Sequence, residues 1–195
     1  MKLVIGLGNP GQQYAETRHN IGFDVISELA ARWNAPRPQM KFQAEIHESH
    51  QHAAKVLLVK PLTYMNASGN SVVQIVRYFQ VAADDILVIC DDMNLPLGKI
   101  RCRASGSAGG QKGLADILQK LATENVARLR LGIGRPPGQQ DAANFVLQRF
   151  RSTERDSAEL LIKKAADSTE LWLASGIASV MNRYNRDEPE NHTGS

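Results

Sequence analysis

A chain of 195 residues, 43% hydrophobic and 22% charged, is long enough to bury a sizeable core and short enough for one domain. It has no apolar run as long as a membrane span and no basic, apolar, small-residue order at its start, so a cytoplasmic protein is expected, with no membrane association. The formal charge is +3, but residues 99–151 hold ten Lys or Arg against three acids, leaving +7 there and −4 elsewhere; this stretch is either a face for a polyanion or a solvated surface.

Residues 2–7 read as a short strand. Thr17 or Asn20 opens a helix in which Ile21, Val25, Ile26, Leu29 and Trp33 recur at helical spacing, and Pro36 ends it. Residues 43–48 and 55–60 predict a hairpin around the sequence SHQH, and residues 70–80 an amphipathic helix carrying Val72, Val73, Val76 and Phe79. Residues 86–90 form a continuous apolar strand, and 99–103 alternate charge with Ile100 and Cys102. A third helix over 114–121 precedes a strand over 129–133. Beyond the link GIGRPPGQQ come a short element at 142–147 and a long helix at 153–175.

Strands alternating with helices predict an α/β fold. The expectation is a single domain over residues 1–184, a three-layer αβα sandwich around a twisted, mostly parallel mixed sheet. The tail 185–195 has nothing to bury and is expected to be disordered. Cys90 and Cys102 lie in apolar runs and are expected as buried free thiols.

The stretch GLGNPGQQYAETRHNIGF follows the first strand, and its Gly6, Gly8 and Gly11 fit G-x-G-x-x-G. A dinucleotide site needs a tight turn straight into a helix and an acid about twenty residues on at the next strand tip. Here Pro10 removes an amide donor, the helix starts late, and no such acid follows. The glycines are better read as shaping a loop at the carboxyl edge of the sheet, where it presents Asn9 and, further on, His19. Asp91 and Asp92 end the apolar strand ILVIC and reach the same edge. A His with a carboxylate partner is a general-base assembly that activates water without metal or cofactor.

Other chemistries lack their residues. SGSAGG has Ser105 where a nucleophile elbow needs Gly, and GGQKG is not a P-loop. His47, His50 and His52 have no Cys beside them and read as a polar hairpin tip. Asp91 and Asp92, as strand neighbours, point to opposite faces, which disfavours chelation. No metal is expected.

VIGLGNPGQQYAETRHNIG, KPLTYMNASG, ILVICDDMNLPLGKIRCRASGSAGGQKGLADI and RLRLGIGRP stand in the order of the signatures of the bacterial-type peptidyl-tRNA hydrolases, which the sequence resembles from residue 3 to about residue 150. The resemblance implies hydrolysis of the ester between a peptide, or an N-blocked amino acid, and the 3′ ribose of tRNA. The partner is then peptidyl-tRNA, engaged at its acceptor stem and 3′ end. By motif match His19 is the catalytic base, Asp91 the carboxylate that supports it, and Asn9 the residue that tells blocked from free aminoacyl-tRNA. Tyr14, Tyr64 and Asn66 fall on positions that contact the 3′ end, with Phe at the Tyr64 position in some members. Arg103 and Arg130 match basic residues near the tRNA end. One departure stands out: Gln111 and Lys112 replace the His-Asn of the usual GGHNG segment, so the substrate contact at Lys112 is a cation instead of an amide.

Lys99, Arg101 and Arg103 alternate with apolar residues and share a face that can meet phosphates. The expected water is held by the Asn9 and Asn66 amides, and the oxyanion by loop amides between Gly109 and Gly113. A non-catalytic RNA-binding module and a dinucleotide-dependent reductase are the competing classes. The intact His19, Asp91, Asn9 and Asn66 set disfavours the first, Pro10 the second. With no exposed apolar stripe, a monomer is expected.

Overall fold

Leu3, Val4 and Ile5 are fully buried in β1 (Lys2–Gly6), because this strand sits at the middle of a sheet with both faces covered. The computed structural model, which describes residues 1–185, places three further strands parallel to it: β4 (Ala54–Pro61) on one side, β5 (Ile86–Asp92) on the other, and β7 (Ala127–Gly132) beyond β5. The edges are antiparallel. β2 (Gln39–Lys41) and β3 (Ala44–Gln51) continue outward from β4, and β6 (Ile100–Arg103) closes the far side, giving the order β2-β3-β4-β1-β5-β7-β6.

Strand alternation divides the core in two. Val4, Leu58 and Ile89 face α1 (Ile21–Arg32) and α5 (Arg155–Tyr184), whereas Leu3, Ile5, Leu57 and Val88 face α2 (Ser68–Phe79) and α3 (Lys112–Leu121). The result is the expected three-layer sandwich. The short α4 (Ala142–Val146) buries Phe145 and Val146 into the first of these cores.

Three local expectations change. The hairpin turns one step later than SHQH: Ser49, His50 and Gln51 belong to β3, and His52 and Ala53, both at positive φ (48° and 60°), make a two-residue turn. The last helix does not stop at Ser175. Gly176 adopts φ 76°, which breaks the helical path, and α5 resumes to Tyr184 so that Val180 also reaches the core. Asn185, expected with the tail, is ordered: its Oδ1 accepts the Cys102 backbone N–H at 2.7 Å and its Nδ2 donates to the Cys102 carbonyl at 2.8 Å, capping edge strand β6. The rest of the expected tail, 186–195, lies outside the described residues.

Cys90 and Cys102 are buried free thiols. Burial pushes both up, Cys102 to about 12, so neither is a nucleophile at neutral pH. Among the described residues no helix is long and apolar enough to cross a membrane.

Asp24, in the first turn of α1, shows burial outweighing a helix dipole. The dipole favours a charged carboxylate by about 0.3–1 kcal/mol, yet desolvation, opposed by Lys60 and aided by Glu16, lifts its carboxyl from 3.8 to about 6. An acid with a raised folded-state value stabilises the fold most below its unfolded value, and that stability is lost as pH rises through about 6. Asp24→Asn is therefore expected to raise the melting temperature at pH 8, by at most about 3 kcal/mol of stability, and to make no difference near pH 4. Melting curves at the two pH values check it; an equal shift at both rules out the ionisation.

Candidate active site

The carboxyl ends of β1, β4 and β5 open onto one cleft of about 640 Å³. It forms because β1 runs to α1 on one face of the sheet and neighbouring β4 runs to α2 on the other, so the loops leaving them diverge. The glycines of the first loop serve this packing. A Cβ on Gly6 would lie 2.1 Å from the Gly22 carbonyl, and one on Gly8 2.7 Å from the Phe23 ring, so they let the start of α1 lie against the end of β1. Gly11, at φ 109°, turns the chain into the 3-10 turn that carries Tyr14.

His19 sits in the next 3-10 turn, directly ahead of α1, and its Nδ1 meets Asp91 Oδ2 at 2.8 Å. The His19 side chain is 15% exposed and Asp91 only 3%. A carboxylate at Nδ1 fixes the tautomer with the proton there and leaves the Nε2 lone pair as a base. Asn9 is held on both sides. Its backbone N–H donates to Asn20 Oδ1 at 2.8 Å, Asn20 Nδ2 donates to the Asn9 carbonyl at 3.0 Å, and Asn9 Oδ1 accepts the Met65 backbone N–H at 2.8 Å. That last bond leaves the Asn9 Nδ2 donors to serve the cleft that Asn9 lines.

Met65 follows a strained residue. Tyr64 has φ 60° and ψ 158°, a region that glycine alone visits cheaply, at a cost of about 1–3 kcal/mol. Tyr64 is 53% exposed at the cleft, with its ring perpendicular to the Tyr14 ring, centroids 6.4 Å apart. Asn66 and Lys112 line the same cleft, Lys112 as the first residue of α3.

Asp91 and Asp92 take separate partners. Asp92 Oδ1 accepts the Asn94 backbone N–H at 2.9 Å, and Arg130 Nε lies 3.0 Å from Asp92 Oδ2, an ion pair off hydrogen-bond angle. Among the described residues no group of three His, Cys, Asp or Glu could hold a metal ion. Of the sequence-predicted residues, Asn9, His19, Tyr64, Asn66, Asp91, Lys112 and Arg130 thus surround one cleft, with Tyr14 beside Tyr64. Arg103 stands apart on the exposed edge strand β6, opposite Arg128, and Arg101 opposite Arg130. Four arginines therefore share one face of β6 and β7. Arg128 is spent internally, its Nη1 donating to the Gly106 and Ser107 carbonyls, which pins the loop leading to Gln111.

Several residues that build the site carried no signal of their own. Arg18 is 1% exposed, its guanidinium stacked 4.5 Å from the Phe145 ring and 4.8 Å from the Phe150 ring, with Nη2 bonded to Glu154 Oε2 at 2.8 Å. Burial works against the Glu154 charge, but the bonds from Arg18 and from the Arg151 backbone N–H win and hold its carboxyl low. This clamp, with the Arg18 N–H on the Gln148 carbonyl, ties the His19 turn to the 145–154 segment. The same segment supplies the apolar wall of the cleft through Val146 and Leu147. The sequence marked it as an element without placing it.

A family profile described as Peptidyl-tRNA hydrolase matches residues 3–192. A peptidyl-tRNA hydrolase of Rhodopirellula baltica is 50% identical over 185 residues, 95% of this chain and 97% of the relative, and one of Geobacillus kaustophilus is 45% identical over 95% of this chain and its own whole length. The crystal structure of peptidyl-tRNA hydrolase from Acinetobacter baumannii superposes with a TM-score of 0.89 at 34% identity, covering 97% of this chain and 96% of that one. Agreement in sequence and fold over nearly the whole length leaves one assignment: the chain belongs to the peptidyl-tRNA hydrolase family.

Proposed function

We propose that this protein hydrolyses the ester joining a peptide, or an N-blocked amino acid, to the 3′ ribose of tRNA, and so returns the tRNA to use. The observation that carries the reading is the His19–Asp91 pair at 2.8 Å in a cleft where Asn9 offers a free amide donor. His19 Nε2 takes a proton from a water held beside the ester carbonyl by the Asn9 and Asn66 amides. The hydroxide attacks the carbonyl carbon, loop amides around Gly110 and the Lys112 charge stabilise the oxyanion, and the imidazolium returns the proton to the departing 3′ oxygen. Asp91 stabilises the imidazolium charge on His19 through both steps.

Tyr14 and Tyr64 offer ring faces and edges to the terminal bases, which stack on aromatic side chains without regard to sequence. Arg101 and Arg103 on β6, with Lys99 before them, extend from the cleft as a basic track for acceptor-stem phosphates. All these groups come from one chain, which suits a monomer. The test is release of N-blocked amino acid from tRNA by the wild-type protein without added metal or nucleotide, compared with His19→Ala; no release by wild type overturns the reading.

The basic track makes a second prediction. The logarithm of the affinity for uncharged tRNA is expected to fall linearly with the logarithm of salt concentration, and Arg103→Ala to reduce that slope by about one. Fluorescence titrations at several ionic strengths check it, and an unchanged slope takes Arg103 out of the interface.

A further inference from the structure

We infer that Gln111 is the positioning residue for the carboxylate behind His19, an assignment that rests on the proposed roles of His19 and Asp91. Gln111 is the N-cap of α3: its Oε1 accepts the Leu114 backbone N–H at 2.7 Å. Its Nε2 donates to Asp91 Oδ1 at 3.1 Å, while Asp91 Oδ2 receives His19 Nδ1 at 2.8 Å. Each carboxylate oxygen thus has one donor, from different elements, and the two together set the plane of the carboxylate and hence the aim of the imidazole. Gln111 is only 7% exposed, so bulk water does not replace either bond. Its Nε2 also lies 3.0 Å from Met65 Sδ, and Met65 is the residue whose backbone N–H holds Asn9. One side chain therefore links the helix cap, the Asp91–His19 pair and the Asn9 anchor.

The position demands a group that accepts at one end and donates at the other. A glutamine amide does both at every pH. A neutral imidazole, the group at this place in the GGHNG form of the segment, does both as well but loses its acceptor on protonation near pH 6.5. A glutamic acid does both only while protonated. Among the described residues only His19 and Gln111 hydrogen-bond to the Asp91 carboxylate. The other charges around it are Asp92 on its own strand, Arg130 from β7 against Asp92, and Lys112 beginning α3. In this chain the amide frees the base assembly from a second ionisation.

The experiment measures kcat and KM for N-blocked aminoacyl-tRNA between about pH 5 and about pH 9 in wild type, Gln111→His, Gln111→Glu and His19→Ala. Gln111→His is expected to keep kcat within about threefold at the alkaline end, with KM unchanged, and to steepen the acid limb from one proton toward two. Gln111→Glu should be least impaired at acid pH and at least tenfold below wild type at alkaline pH, where a second carboxylate faces Asp91. A role confined to capping α3 shifts stability and leaves these profile shapes alone. Wild-type shapes in both variants overturn the assignment, and if Gln111→Glu does not fold, the Gln111→His limb decides it by the same criterion. Turnover retained by His19→Ala is a separate failure, since it removes the base and not Gln111.

Discussion

His19→Ala is expected to lower turnover of N-blocked aminoacyl-tRNA by roughly 10³-fold while tRNA affinity stays within about twofold of wild type. The magnitude follows from what the side chain does. A positioned base contributes about 10²–10⁴-fold, here some 4 kcal/mol of barrier. The other groups at the cleft are otherwise engaged: Asp91 is buried behind the imidazole, Asp92 is paired with Arg130, Asp141 caps α4 through the Asn144 N–H, and Lys112 and Arg130 are cations. Binding survives because the basic track lies on β6, away from the imidazole, and because Arg18, not His19, holds the turn in place through Glu154 and the two phenylalanine rings. The check is single-turnover hydrolysis alongside a tRNA titration. Retained turnover removes His19 as the base; lost binding with lost turnover means the substitution disturbed the turn.

Asp91→Asn should cost roughly 10²- to 10⁴-fold in kcat with little change in KM. Two effects combine. The carboxylate that stabilises the imidazolium is lost, and an amide facing His19 on one side and the Gln111 Nε2 donor on the other is forced to choose. If its oxygen turns to Gln111, its NH₂ faces His19 Nδ1, the imidazole takes the wrong tautomer, and the base is lost from Nε2. A full pH–rate profile tests this. A kcat within about threefold of wild type across the profile excludes Asp91 from the chemistry.

Local sequence reported the layers and the chemistry unevenly. Continuous apolar runs such as ILVIC announce a strand buried on both faces, and the helical recurrence of Ile21, Val25 and Leu29 announces a helix against it, because periodicity is written in neighbouring residues. The end of α5 was illegible for the same reason: Gly176 looks like a stop, and only the core that Val180 reaches makes the helix resume. The hairpin moved by one step because its register is set by pairing with β4, not by the polarity of SHQH.

The chain on its own determined that a glycine-shaped loop, a histidine and a strand-end aspartate share the carboxyl edge of an α/β sheet, since order along the chain dictates where strand ends fall. It also marked Gln111 as the odd residue of its segment. Only the tertiary structure decided what Gln111, Arg18 and the 142–147 element do. Gln111 touches Asp91 twenty positions away, Arg18 reaches Glu154 across 136, and the wall beside the cleft comes from a segment with no chemistry of its own. Such contacts join groups that share no local pattern. They exist because packing α3 and the 145–154 segment onto the sheet buries polar side chains, and Arg18 Nη2 and the Gln111 amide are satisfied by partners that only the fold brings near.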